Sequence, residues 1–390
     1  MKFILAFHAC LLTLLLPGRC FCQPSVFQKK TIEVLSASVL KKAKWAMDQQ
    51  PMTITSFVSP RSAGGKHDFF SEGDYWWPDP KNPKGPYLQR DGMSNPDNFV
   101  EHRKAMIRFS QIMGALASAY AVTGNEKYAK HAFRHSRAWF IDTATRMRPH
   151  LLYAQAIQGR FTGRGIGIID MIQFIEVSQS LVKLERSKVG RRADFVGYRK
   201  WFEDYLTWVT THPYGVDEKN AANNHGTCWT MQVAAFAKFT NNPALLDTCR
   251  NRYKNRHLPE QMAMDGSFPK ELARTKPYGY SLFNLDAMSM LCQILSNEEE
   301  NLWNHTSPDQ RSMQKGISFL FPYVSDKSQW PFKKDVMYWD EWPVAHPFLL
   351  FGACAFQNDE YFSLWQKLNH DPTVEEVVRN FPVRHPIIWF

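Results

Sequence analysis

The chain has 390 residues, 44% hydrophobic and 22% charged, with 47 Lys+Arg against 37 Asp+Glu for a formal charge of +10. That composition excludes disordered, collagen-like and coiled-coil classes, and it suits one large globular domain or two ordinary ones. Aromatics are in excess, with 28 Phe, 14 Tyr and 13 Trp, and the positive balance points to an anionic partner without naming it.

The N-terminus reads as a targeting segment. Lys2 precedes the apolar run Phe3 to Leu16, and Pro17-Gly18 leads to small residues at −3 and −1 of a cleavage site after Cys22. The run is too short to span a bilayer, and no later stretch is expected to reach that length. The expected mature chain, 23–390, is a single domain exported to the periplasm or secreted. A lipoprotein anchor ranks second, because Arg19 and Phe21 stand where a small residue is needed. Removing residues 1–22 takes Lys2 and Arg19 and no acid, leaving 45 basic against 37 acidic residues, +8. Cys228, Cys249, Cys292 and Cys354 remain, none in a CxxC pair. An oxidising compartment allows one or two disulfides, and the apolar helical surroundings equally suit four separate thiols.

Downstream, helix follows helix. From Ala105, Met106, Phe109, Ile112, Met113, Leu116 and Tyr120 recur at steps of three and four until Gly124-Asn125 stops the pattern. Similar periods run through Tyr128–Phe140, Ile168–Leu184, Phe195–Val209, Trp229–Phe239, Leu282–Leu295, Ile317–Tyr323 and Pro347–Phe356, with little strand alternation. Polar turns centred on Asn125, Asn242 and Asn358 end one helix and cap the next, at spacings of 117 and then 116 residues. Such turns join αα-hairpins, and their recurrence suggests stacked hairpins, although a common turn type can recur by coincidence. The expected fold is therefore all-α, either a straight solenoid or an incomplete or closed α/α toroid. Four long aromatic segments without period, Ser59–Asn98, Arg146–Gly167, Ala263–Tyr280 and Ser325–Pro347, favour the toroid, with a cleft built from these loops.

Two constellations could carry chemistry. The first is Asn223-Asn224-His225-Gly226 at the start of the helix that contains Trp229. A single Asn there would be an N-cap and nothing more. Two Asn beside a His put amide donors and a titratable imidazole at a positive helix N-terminus, a place that favours a carboxylate. The second is the loop from Asp265 through Arg274 to Tyr278-Gly279-Tyr280. Arg274 and Tyr280 lie six positions apart, and a guanidinium near a phenol is expected to lower its pKa. Tyr280 taken alone reads equally as a rim or core aromatic.

Together these residues resemble the alginate lyases of the α/α-toroid type, closest to polysaccharide lyase families five and thirty-eight. The segment Gly73-Asp74-Tyr75-Trp76-Trp77-Pro78-Asp79-Pro80 resembles that group's N-terminal signature, and Thr162-Gly163-Arg164-Gly165-Ile166-Gly167 before a helix also fits. The resemblance implies β-elimination on a polyuronate. Asn224, His225 and Arg274 would then neutralise the uronate carboxylate and stabilise the aci-carboxylate left when the C5 proton departs. Tyr280 would take that proton and return one to O4 on mannuronate, and His225 would be the better-placed base on guluronate. Tyr278 is the fallback for Tyr280 and, with Asn223, a candidate substrate contact. Trp76 and Trp77 either stack on sugars or fold onto the core, and Arg164 either reaches a neighbouring carboxylate or solvates a turn.

The expected partner is an anionic polysaccharide, and no nucleic-acid-binding motif accompanies the charge. No cofactor or metal is implied, because metal-ligand spacing, an EF-hand and a nucleotide loop are all missing from the sequence. Alternatives are a lyase acting on another polyuronate such as glucuronan, a non-catalytic glycan binder, and an inverting toroidal glycoside hydrolase. The last would use a carboxylate pair drawn from Asp74, Glu101, Glu271, Asp340 and Glu341.

Overall fold

A computed structural model describes residues 26–390, so the expected signal segment, 1–22, lies outside the described residues. The first helix, α1 (Val26–Met47), was not foreseen. Its buried positions Phe27, Thr31, Leu35, Val39, Ala43 and Ala46 form one stripe of mostly four-residue steps, interrupted by lysines that blur the period in sequence. Next come α2 (Glu101–Thr123) and α3 (Glu126–Phe140), then α4 (Phe174–Leu184), α5 (Arg192–Thr211), α6 (Pro213–Asn220), α7 (Asn224–Phe239) and α8 (Pro243–Arg252). The two short helices α9 (Leu258–Gln261) and α10 (Pro269–Leu272) lead to α11 (Pro277–Leu295). The chain ends with α12 (Met313–Ser325), α13 (Pro347–Phe356), α14 (Asp359–Lys367) and α15 (Glu375–Arg379).

The helices form two layers, as expected for a toroid of hairpins. In the inner layer α2 packs on α4, α4 on α7, α7 on α11 and α11 on α13, with α1 against α2. The outer helices α3, α5, α8, α12 and α14 back them. Burial separates the layers: α7 and α11 are buried nearly all round, whereas α8 buries only Cys249. Asn125, Asn242 and Asn358 are side-chain N-caps of α3, α8 and α14, so the three similar turns are αα-hairpin connections in structure as well. Among the described residues Cys228, Cys249, Cys292 and Cys354 are free thiols, the first three fully buried.

One expectation is corrected. Gly165–Leu184 is long and apolar enough to cross a membrane by length and composition. It is largely buried, a 3-10 segment, Gly165–Gln173, running into α4, and it packs against α2 and α7.

Short strands draw the loops together. β1 (Phe70–Glu72) pairs in parallel with β4 (Tyr153–Ala156), joining the first loop to the second. β2 (Trp76–Trp77) and β3 (Leu88–Gln89) form an antiparallel hairpin. The C-terminal segment crosses the inner layer: backbone oxygens of Ile388 and Trp389 accept from Gln179 on α4 and Gln293 on α11.

Candidate active site

The turn between α6 and α7 sets the first half of the site. A Cβ on Gly226 would lie 2.1 Å from the carbonyl oxygen of Ala221, so only glycine lets α7 start this close to α6. Asn223 is the N-cap of α7, its side chain accepting from the His225 N–H. Asn224 begins the helix, and both its backbone N–H and its amide donate to Glu271 of α10, at 2.7 and 2.8 Å. His225 Nδ1 lies 2.8 Å from Glu218 Oε1 on α6. That contact leaves Nε2 as the ring nitrogen for a ligand.

The two acids govern the charge here. Burial works against the imidazolium of His225, yet Glu218, with Glu271 behind it, outweighs burial and holds the pKa above its usual value. Burial raises Glu271, and the Asn224 donors and His225 offset part of that rise.

The second half comes from α11 and the loop before it. Asp335, in the fourth long loop, accepts from the backbone N–H groups of Tyr278 and Gly279 at 2.8 and 2.9 Å and so fixes the start of α11. Tyr280 lies one turn in. The Arg274 guanidinium is 4.8 Å from the Tyr280 ring centroid, and it is itself forked onto Asp91, with Nη2 2.8 Å and Nε 3.3 Å from the two carboxylate oxygens. The phenolic oxygen of Tyr280 is 2.6 Å from that of Tyr75.

The expected lowering of the Tyr280 pKa is corrected. Burial raises it, and the Tyr75 hydrogen bond and the Arg274 charge recover only part. Burial also raises Tyr75, with Glu376 and Tyr280 adding to it. While both are phenols either oxygen can donate, and once Tyr280 is ionised Tyr75 is the donor of the pair.

Tyr75, Asp91, Asn224, His225, Arg274 and Tyr280 line one cleft of about 420 Å³, together with Trp76, Arg164, Ile166, Phe283 and Arg379. Arg164 is no surface turn residue. Its Nε donates to the Gln155 carbonyl at 2.8 Å, and no carboxylate pairs with it among the described residues. Burial lowers its pKa to about 10, with Asp74, Asp170 and Glu218 opposing. Trp76 lies beneath two guanidiniums, Arg160 and Arg164, at 5.3 and 5.8 Å from its ring centroid.

Two expected contacts fall outside the cleft. Trp77 points across the β2–β3 hairpin, its indole donating to the Met93 carbonyl and its ring under Arg90, because successive strand residues face opposite sides. Tyr278 is fully buried, its hydroxyl donating to the Tyr323 carbonyl and its ring against Trp330 and Trp339. Two residues on, the helix turns Tyr280 to the cleft instead.

Several cleft residues escaped the sequence reading, Tyr75, Asp91, Gln155 and Arg379, and so did Glu218, the buried partner of His225. Tyr75 sat inside the quoted signature and could have been found there. Arg379 carried no local signal; it reaches Asp74 at 2.5 Å from the far end of the chain. Asp74 also receives Arg103 at 2.6 and 3.1 Å. Burial alone would raise Asp74, but the two arginines hold it well below the usual carboxylate range. Asp91 is likewise lowered: burial opposes its charge and the hydrogen-bonded Arg274 outweighs it. Asp340 and Glu341 sit on an exposed 3-10 turn and do not line the cleft.

An alginate lyase family model matches residues 53–330 of the chain. Among solved structures, an alginate lyase from Bacteroides ovatus is 31% identical with a TM-score of 0.80, covering 93% of this chain and 97% of that one. Alginate lyase A1-III from Sphingomonas species A1 is 14% identical with a TM-score of 0.58, covering 90% and 94%. A variant of A1-III complexed with a tetrasaccharide is 15% identical with a TM-score of 0.59, covering 90% and 94%. At these lower identities the likeness is one of fold. No curated protein matches the chain.

Proposed function

The chain belongs to the alginate lyase family, and from that membership we propose that it is a polysaccharide lyase cleaving alginate by β-elimination, with Tyr280 as base and acid. The observation that carries the proposal is the meeting of Tyr280, Arg274, Asn224 and His225 in one cleft. A uronate carboxylate entering at the positive end of α7 meets the imidazolium of His225, the Asn224 side chain and the unpaired guanidinium of Arg164. Neutralising that carboxylate acidifies the C5 proton and stabilises the charge that develops when it leaves.

The proton passes to the Tyr280 phenolate. Tyr75 donates a hydrogen bond to that oxygen and Arg274 supplies a positive charge over the ring, and both favour the phenolate against burial. Tyr280 then returns a proton to O4 as the C4–O4 bond breaks and the C4–C5 double bond forms. This syn course suits mannuronate. On guluronate, whose C5 proton lies on the opposite face, Nε2 of His225 is the base once it has lost its proton. Asn223 acts through its cap on α7 rather than on the sugar. The N-terminal segment supports export to the periplasm or beyond, where such a polymer is met.

An inverting hydrolase is the weaker reading. It needs one protonated and one ionised carboxyl facing the bond, and the cleft acids Asp74 and Asp91 are both paired with arginines and held ionised. The deciding experiment follows ultraviolet absorbance of the unsaturated product on polymannuronate, polyguluronate and glucuronan. New absorbance on the alginate blocks supports the proposal. Reducing ends without absorbance would establish hydrolysis instead.

A further inference from the structure

A second groove, of about 580 Å³, lies on another part of the surface and shares no lining residue with the catalytic cleft. One wall is α1, which contributes Ser38, Lys41, Lys42 and Trp45. Gln111 of α2 and Asp371, Arg384 and His385 of the C-terminal segment form the rest of its polar lining.

Trp45 is 40% exposed, and core packing does not account for it. The core stripe of α1, Phe27 through Ala46, is complete without it. Ala37, Lys41 and Trp45 form a separate outward stripe at four-residue steps, about 12 Å long at 1.5 Å per residue. Among the described residues the Trp45 indole N–H and the Gln111 amide meet no hydrogen-bond partner, and Lys41 has no ion pair.

The charge of the groove is positive. Lys42 is paired with Asp371 at 3.1 Å, and Arg384 also feels Asp371 and the buried Glu176, so the lining sets Lys41, Lys42 and Arg384 against the single carboxylate of Asp371. Arg384 is a fixed cation. It is 7% exposed, with Nη1 on Gln173 and the carbonyls of Val378 and Phe381, and Nη2 on Ser110. Its Nε is buried without a partner. An exposed indole face, a free amide and excess cations in a groove of ligand size match a sugar chain that carries carboxylates.

We propose that this groove is a second, non-catalytic binding site for an anionic polysaccharide, holding a distant stretch of the polymer whose cleavage takes place in the cleft. The proposal rests on the polyuronate reading of the cleft. Holding one polymer at two places raises the effective concentration of its other bonds near Tyr280, and short oligosaccharides gain nothing from it.

The test compares wild type with Lys41→Glu and with Trp45→Ala, two exposed changes outside the catalytic machinery. The variants should match wild type on short oligouronates. On long polymannuronate their KM should rise about threefold or more at unchanged kcat. Affinity electrophoresis in polymannuronate gels, with each change placed in a Tyr280→Phe background, should show weaker retardation. Equal KM on the polymer together with equal retardation would overturn the second site. Equal retardation in gels of a neutral glucan, or loss of retardation to a single-stranded DNA competitor alone, would overturn its polyuronate specificity. Retardation that depends on Lys41, together with a Tyr280-containing wild type that yields no unsaturated product, would keep this site and remove the lyase reading, so the two can fail separately.

Discussion

The phenolic oxygens of Tyr75 and Tyr280 lie 2.6 Å apart, although the residues are separated by 205 positions in sequence. One comes from the loop before β2 and the other from the first turn of α11. Burial raises the pKa of both, so the pair meets substrate mainly as two phenols, and the basic form of Tyr280 grows as pH rises. Tyr280→Phe should leave binding of polymannuronate intact and abolish most unsaturated product, a loss of at least about 10²–10⁴-fold because base and acid go together. Tyr75→Phe should keep some activity and move the rising limb of the pH–kcat profile to higher pH. An unmoved limb would remove Tyr75 from the tuning of Tyr280.

Glu218 sets the charge on His225. Its contact at Nδ1 keeps the imidazolium to a pH above the usual histidine range, against the effect of burial. In Glu218→Gln the hydrogen bond can persist but the charge is gone, so the His225 pKa falls. Uronate binding should then weaken at a lower pH than in wild type: KM is raised near neutrality and returns toward the wild-type value in acid. Titration of the His225 ring by NMR, beside KM against pH, checks this. Coincident profiles for the two proteins would rule the charge out.

Arg274 is held by Asp91 as a fork, Nη2 and Nε each facing one oxygen. Lysine keeps the charge and loses the fork. Arg274→Lys should lower kcat and shift its rising limb to higher pH as Tyr280 loses its neighbour. Asp91→Ala leaves the charge but releases the geometry. Losing a charged hydrogen bond of about 1.5–3 kcal/mol should lower kcat/KM by about tenfold or more. Wild-type kinetics for Asp91→Ala would mean that the fork does not position Arg274.

Tyr278→Phe is the control for the loop. It removes a buried hydroxyl whose partner is the Tyr323 carbonyl, so thermal or denaturant unfolding should show a loss of about 1–3 kcal/mol. Kinetics should stay near wild type, because the side chain does not reach the cleft. A stable but inactive Tyr278→Phe enzyme would place the chemistry two residues earlier than assigned here.

Much of the design was legible in one dimension. The period of three to four fixed most of the helices, because an inner helix must present apolar side chains to its neighbours whatever its partners are. Asn125, Asn242 and Asn358 announced hairpins because capping is a local contact. Asn224, His225, Arg274 and Tyr280 stood out because unusual polar types clustered within short loops. Which tyrosine of Tyr278-Gly279-Tyr280 faces the cleft was not legible. That depends on where Asp335, some 55 residues later, pins the first turn of α11.

The sequence by itself determined the helices, their caps and the kinds of side chain available for chemistry, since each of these rests on neighbours within a turn or two. Tertiary structure alone decided the charges. Arg379 and Arg103 meet Asp74, Glu218 meets His225, Glu271 meets Asn224, and Asp91 meets Arg274. Each pairing joins different elements, and the partner's charge set against burial decides the protonation state of the groups. The expected acidic Tyr280 failed for that reason: spacing along the chain showed its guanidinium neighbour and could not show the water taken from around its oxygen.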